Sequence, residues 1–193
     1  FRIRYKDESW EMQLLGLLVL PFCPNFLTQY TTVLGQTIYF PSRSFVEADP
    51  ERALRIMAHE AVHLLDFQRY GPVPFALAYL FPQILALGVF AFPWLGPWAL
   101  LFGFFLLPLP APFRFWAESR AYALELLTYP PTERPAHLRQ LSQHFFSWNY
   151  YKMYPFSPQV TQTIEAWMKD IEAGNARDLL SILLIYEWAE EAS

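Results

Sequence analysis

The chain has 193 residues, enough for one well-buried domain, and carries a net charge of -4 with 14 lysines and arginines, too few for a basic stripe that would grip nucleic acid. Charged residues make up 17%, against roughly 25% in typical soluble chains, while aromatics reach 19% and the mean hydropathy is +0.14. A surface of that kind is covered by lipid or by partner proteins, and the single cysteine, Cys23, excludes an internal disulfide and a cysteine-based metal site.

Taken in chain order, Phe1 to Tyr5 alternates apolar and basic residues and reads as a short strand; nothing here reads as a signal peptide. Glu8 to Leu20 reads as a helix, almost wholly apolar after Glu11 and halted by Pro21 and Pro24. It is too short to cross a bilayer, so it belongs in a core or at an interface. Thr31 to Phe40 reads as one extended strand bounded by Pro41. Within it, Gly35 to Phe40 is either an edge to which a peptide adds by β-augmentation or an ordinary internal strand. Ser42 to Phe45 reads as a turn. Asp49 as N-cap and Pro50 at the first helical position then open a helix that runs to about Arg69, ended by Gly71-Pro72.

From Tyr70 to Phe113 there is no charged residue. The prolines divide this run into a helix from about Phe75 to Phe92, a turn at Pro93 to Pro97, and a helix from about Trp98 to Leu109. Three settings stay open for it: a membrane hairpin, a shallow wedge in one leaflet, or burial in a protein assembly. Trp94, Trp98 and Trp116 suit interfacial positions, and Arg69 and Arg114 at the two roots predict a cytoplasmic site at a membrane. Helices follow at Arg114 to Leu127, Glu133 to about Phe146, and Ser157 or Pro158 to Glu172, the last closed by Gly174. Asn175 caps a final helix, Ala176 to about Ala189, whose residues Leu179, Leu180, Ile182, Leu183 and Ile185 predict a broad buried face.

The most specific signal is His59-Glu60-Ala61-Val62-His63. Histidines four apart stand one turn above each other on a helix and can aim at one metal ion, and Glu60 beside them can reach a water held there. A catalytic zinc needs a third protein ligand and an open position. Glu118, on a helix of aromatic and small residues, is the expected third ligand, with Glu125 as the fallback. Ala117 and Ala121 would let that helix pack closely on the histidine helix. Asp66 could take the second ring proton of a ligand histidine or pair with Arg120. His144, Tyr150, Tyr151 and Tyr154 are candidate donors to a transition state, with none preferred over packing roles.

His59-Glu60-Ala61-Val62-His63, followed far downstream by Glu118 in Trp116-Ala117-Glu118-Ser119-Arg120-Ala121-Tyr122, resembles the gluzincin group of metallopeptidases. The layout, with hydrophobic segments between the two motifs, is similar to the membrane-embedded Ste24/HtpX-like peptidases. Their ExxxD continuation is absent, Tyr122 standing at the aspartate position. The resemblance implies an α+β fold: one mostly helical zincin-like domain over 1–193 with a small sheet, an inserted hydrophobic hairpin at 70–113 and a helical C-terminal part at 114–193. It also implies one Zn2+ on His59, His63 and Glu118, with Glu60 as general base in the hydrolysis of a peptide or protein substrate. Imidazole and carboxylate ligands also suit other divalent first-row metals. Two competing readings stand beside this one. In the first, the same site is inactive and the chain is a structural or assembly subunit of a membrane or macromolecular complex. In the second, the motif is a coincidence in a membrane scaffold, which predicts Glu118 far from both histidines.

Overall fold

The computed structural model describes residues 1–20, 23–147, 152–154 and 156–191. It is mostly helical, with one small sheet that does not close on itself. Strands β1 (Arg2–Tyr5), β2 (Thr32–Leu34) and β3 (Thr37–Phe40) lie in the order β1-β3-β2, β3 running parallel to β1 and antiparallel to β2. Helices α1 (Trp10–Val19) and α2 (Phe26–Gln29) connect β1 to β2. The expected single strand over 31–40 is therefore a hairpin. Gly35 has a φ of 62°, the left-handed conformation that a tight turn requires and glycine adopts without cost. Of the two readings of 35–40 the internal strand holds: Thr37–Phe40 is central, with Ile38, Tyr39 and Phe40 buried, and β2 is an edge among the described residues.

The predicted turn at 42–45 is the start of a short helix, α3 (Arg43–Ala48), where Ser42 Oγ accepts from Phe45 N–H at 3.1 Å. Helix α4 (Pro50–Tyr70) begins as the sequence demands: Asp49 accepts from Arg52 N–H at 2.9 Å, Pro50 occupies the first turn, and the dipole-favoured Glu51 follows. It ends at Gly71, whose φ is 81°, and Pro72 opens α5 (Pro72–Leu80) at once.

Two apolar clusters meet on α4. On one side Ala53 and Leu64 pack with Ile38 and Phe40 of the sheet. On the other, Ala58 and Val62 join the core formed by α7 (Pro112–Leu127), α8 (Arg134–His144), α9 (Ser157–Glu172) and α10 (Arg177–Glu191). Ala117 and Ala121 are fully buried, so the backbones of α4 and α7 approach closely. Asp66 takes the second of its two expected roles, accepting from Arg120 Nη1 at 2.6 Å. Arg120 also lies 3.5 Å from Asp178 and stacks on Trp116, 4.3 Å from the ring centre, so one guanidinium ties α4, α7 and α10 together. In α10, Leu179 and Leu183 are buried as expected, but Ile185 is 66% exposed: the helix turns it away from the face shared with Tyr186.

The charge-free run departs most from expectation. Helix α5 stops at Leu80 because Pro82 supplies no N–H to continue it. Two 3₁₀ segments follow, Gln83–Ala91 and Gly96–Leu106, joined by the short α6 (Phe92–Leu95) and by Gly96 at a φ of 56°. They fold back on each other. A Cβ on Gly88 would collide with the Phe102 ring, and Gln83 Nε2 donates to Leu109 O at 2.9 Å across the base. By length and composition Gln83–Leu106 is a stretch able to cross a membrane, and only 6% of its most apolar window is buried.

Candidate metal centre

His59 and His63 stand on the middle of α4, and Glu118 reaches them from α7. All three are buried, Glu118 to 3% exposure. His59 Nε2 is 3.5 Å from Glu118 Oε2, and His63 Nε2 is 3.7 Å from Glu118 Oε1. A tetrahedral zinc with bonds of about 2.0–2.1 Å holds its ligand atoms about 3.4 Å apart; one ligand atom from each of the three residues lies within 4.8 Å of the others, near enough for a bound ion to draw them together. One orphaned atom points the same way: among the described residues Glu118 Oε2 is buried without a hydrogen-bond partner. The buried His/His/Glu cluster is capable of holding a metal ion. Its compactness also removes the reading in which Glu118 lies far from both histidines.

Glu125, the fallback ligand, has a different place. Its Oε2 lies 2.9 Å from His59 Nδ1, on the far side of the ring from the cluster. With Nδ1–H donating to Glu125, Nε2 is the nitrogen that faces Glu118, the arrangement that fixes the tautomer of a ligating histidine when a metal is bound. Tyr122 packs edge-on against the same ring at 4.7 Å, and its hydroxyl lies 3.3 Å from His144 Nδ1. His144 is thus behind Tyr122. Tyr154 stacks on Phe115 and donates to Gln159, a packing role, while Tyr150 and Tyr151 lie outside the described residues.

The electrostatics follow from burial and neighbours. Burial drives the His63 imidazole down to about 4, leaving it neutral with a lone pair free to coordinate. Burial alone would raise Glu118, but the imidazoles of His59 and His63 outweigh it and hold the carboxyl at about 2. Burial would likewise lower His59, but the adjoining Glu118 and Glu125 raise it. Glu60 lines the cavity beside the cluster, half-buried, and loss of water pushes its carboxyl up to about 7. Lys6, at the end of β1, is fully buried; its Nζ donates to Phe26 O at 2.8 Å, and burial lowers it to about 8 against the opposing charge of Glu60.

The cavity measures about 470 Å³ and runs from the cluster to Thr32–Leu34 on β2. Its walls are largely apolar and aromatic, with Phe26, Phe75 and Tyr79 among them. Sequence reasoning missed two of its polar residues. Tyr79 of α5 donates its hydroxyl to Glu118 Oε1, and Arg114 lies over the Tyr79 ring, 5.1 Å from its centre. One signal was available: with Tyr70 at its start and the tryptophans set aside, Tyr79 and Gln83 are the polar side chains of the charge-free run, and both make specific hydrogen bonds. No known protein family, curated protein or solved structure matches the chain.

The different positions of the two glutamates have a measurable consequence. Glu125→Ala is expected to weaken zinc binding by about 10–100-fold, the usual effect of removing a group behind a ligand. Glu118→Ala is expected to weaken it more, both read by competition against a chelator. Equal losses, or the reverse order, would make Glu125 the ligand.

Proposed function

We propose that this chain is a zinc-dependent peptidase in which His59, His63 and Glu118 hold the metal and Glu60 is the general base. The observation that carries this reading is the placement of Glu60. It shares α4 with the two histidines and faces an open cavity next to them. A bound zinc supplies Lewis acidity, polarising a carbonyl and lowering the pKa of a water molecule to about 7. Glu60 takes the proton from the attacking water and delivers it to the departing amine. Glu125 holds the His59 ring in the tautomer that presents Nε2, and Lys6 offsets part of the charge on Glu60.

Substrate seating rests on β2. Its inner side pairs with β3, its other edge has no paired strand among the described residues, and Thr32–Leu34 line the cavity wall. An extended peptide adding to that edge would lie along the metal cluster. Glu60→Gln is expected to leave zinc content at the wild-type level and to lower turnover of a peptide library by about 100- to 10,000-fold, the range for loss of a positioned base. Retained turnover would overturn the assignment of Glu60. A zinc-loaded wild-type chain with no turnover on any peptide would favour an assembly subunit.

We further propose that the apolar arms seat in one membrane leaflet. Folded as 3₁₀ segments of 9 and 11 residues at about 2.0 Å each, the arms reach roughly 18–22 Å, short of the roughly 30 Å hydrocarbon core. Phe90, Trp94 and Trp98 stand 76%, 82% and 74% exposed around the tip, which suits a wedge anchored by aromatic rings. The chain is expected to float with lipid vesicles, and Leu87→Arg combined with Leu101→Arg to release it, each charge costing about 2.5–3.5 kcal/mol in apolar surroundings. Wild-type chain that stays behind in the aqueous fraction would contradict the seating.

A further inference from the structure

Glu118 presents its two oxygens to different neighbours, and the difference has a use. Oε1 accepts the hydroxyl of Tyr79 and lies 3.7 Å from His63 Nε2. Oε2 lies 3.5 Å from His59 Nε2, is buried, and has no hydrogen-bond partner among the described residues. A carboxylate can bind a metal through one oxygen or both, and it swings between these modes unless the second oxygen is restrained. The phenol is itself fixed in direction: its ring stacks on Phe75 at 5.6 Å, meets the His63 ring edge-on at 6.1 Å, and lies under the Arg114 guanidinium. Tyr79 comes from α5, an element outside both helices that carry the metal-binding cluster.

We propose that Tyr79 is a positioning residue that occupies Glu118 Oε1, so that Oε2 alone is presented to the metal. The inference rests on the reading of His59, His63 and Glu118 as a metal site. It adds a residue that no part of the His59–His63 motif specifies. Each imidazole and the carboxylate then offers one atom, and a fourth position is left for water. The same contact ties the geometry of the site to α5, the helix that leads directly into the apolar arms.

The test uses the full chain with zinc and cobalt as probes. Tyr79→Phe keeps the ring and removes the hydroxyl. It is expected to weaken zinc binding by about 10–100-fold and to change the visible absorption of the Co2+-loaded chain. A cycle with Glu118→Ala separates positioning from mere packing. Where Glu118 is already gone, Tyr79→Phe should change zinc affinity by less than about threefold. Equal losses in both backgrounds would overturn the proposal, as would a Tyr79→Phe chain with wild-type affinity and spectrum. Should Tyr79→Phe fail to fold, infrared spectra of the wild-type chain decide. Zinc loading is expected to widen the splitting of one carboxylate's stretching bands, as one-oxygen binding does; a narrowed splitting would overturn the proposal. Wild-type chain that takes up neither metal overturns the metal-site reading itself, a distinguishable failure.

Discussion

A carboxylate almost sealed from water between two imidazoles is the constraint on which the rest of the molecule turns. An ionised group in such a place is destabilising unless its charge is met on every side. Glu118 is met by His59 and His63 from α4 and by Tyr79 from α5, and one of its oxygens is still left without a partner. The surrounding architecture serves to hold these groups together: fully buried Ala117 and Ala121 bring α7 against α4, and the Asp66–Arg120 pair locks the same two helices beside the site. A cation in the centre would satisfy the orphaned oxygen, use the lone pair of the neutral His63 and take the place of the proton that Glu118 and Glu125 favour on His59. The polar groups form a cluster capable of holding such an ion.

The position of α4 explains how such a site can be both rigid and accessible. One face packs on the sheet and another on the helical core, so the histidine-bearing turns are clamped from two directions. The remaining direction opens into the cavity, which Glu60 and the edge strand β2 line. Rigidity is therefore concentrated where ligand geometry matters, while the open side is built from a short edge strand, α2 and α5. The apolar arms emerge from α5, which places lipid-compatible surface within one helix of the cavity wall.

Much of this was legible from residue spacing. Two histidines one helical turn apart can only be neighbours, and Glu118 stood out as an acid among small and aromatic residues, so the cluster could be assembled before any coordinates. Glu125 was legible as a nearby acid but not in its role, because whether a carboxylate meets the front or the back of an imidazole depends on helix rotation, which spacing leaves free. Tyr79 was hidden by its surroundings: in a run without charge it counted toward hydrophobicity, and its hydroxyl found Glu118 only through tertiary packing. The strand at 31–40 was misjudged because an unbroken β-branched and aromatic pattern masks a single glycine turn. The apolar arms were read as α-helices, since periodicity cannot tell an α-helix from a 3₁₀ coil where nearly every residue is apolar.

The claim that His59, His63 and Glu118 share one metal is tested most directly by diffraction data collected on either side of the zinc absorption edge from crystals of the zinc-loaded chain. The account predicts a single strong anomalous peak within bonding distance of His59 Nε2, His63 Nε2 and one oxygen of Glu118, with Glu60 close by but not bound. A peak held by Glu125 or His144 instead, or no peak between α4 and α7, would contradict it.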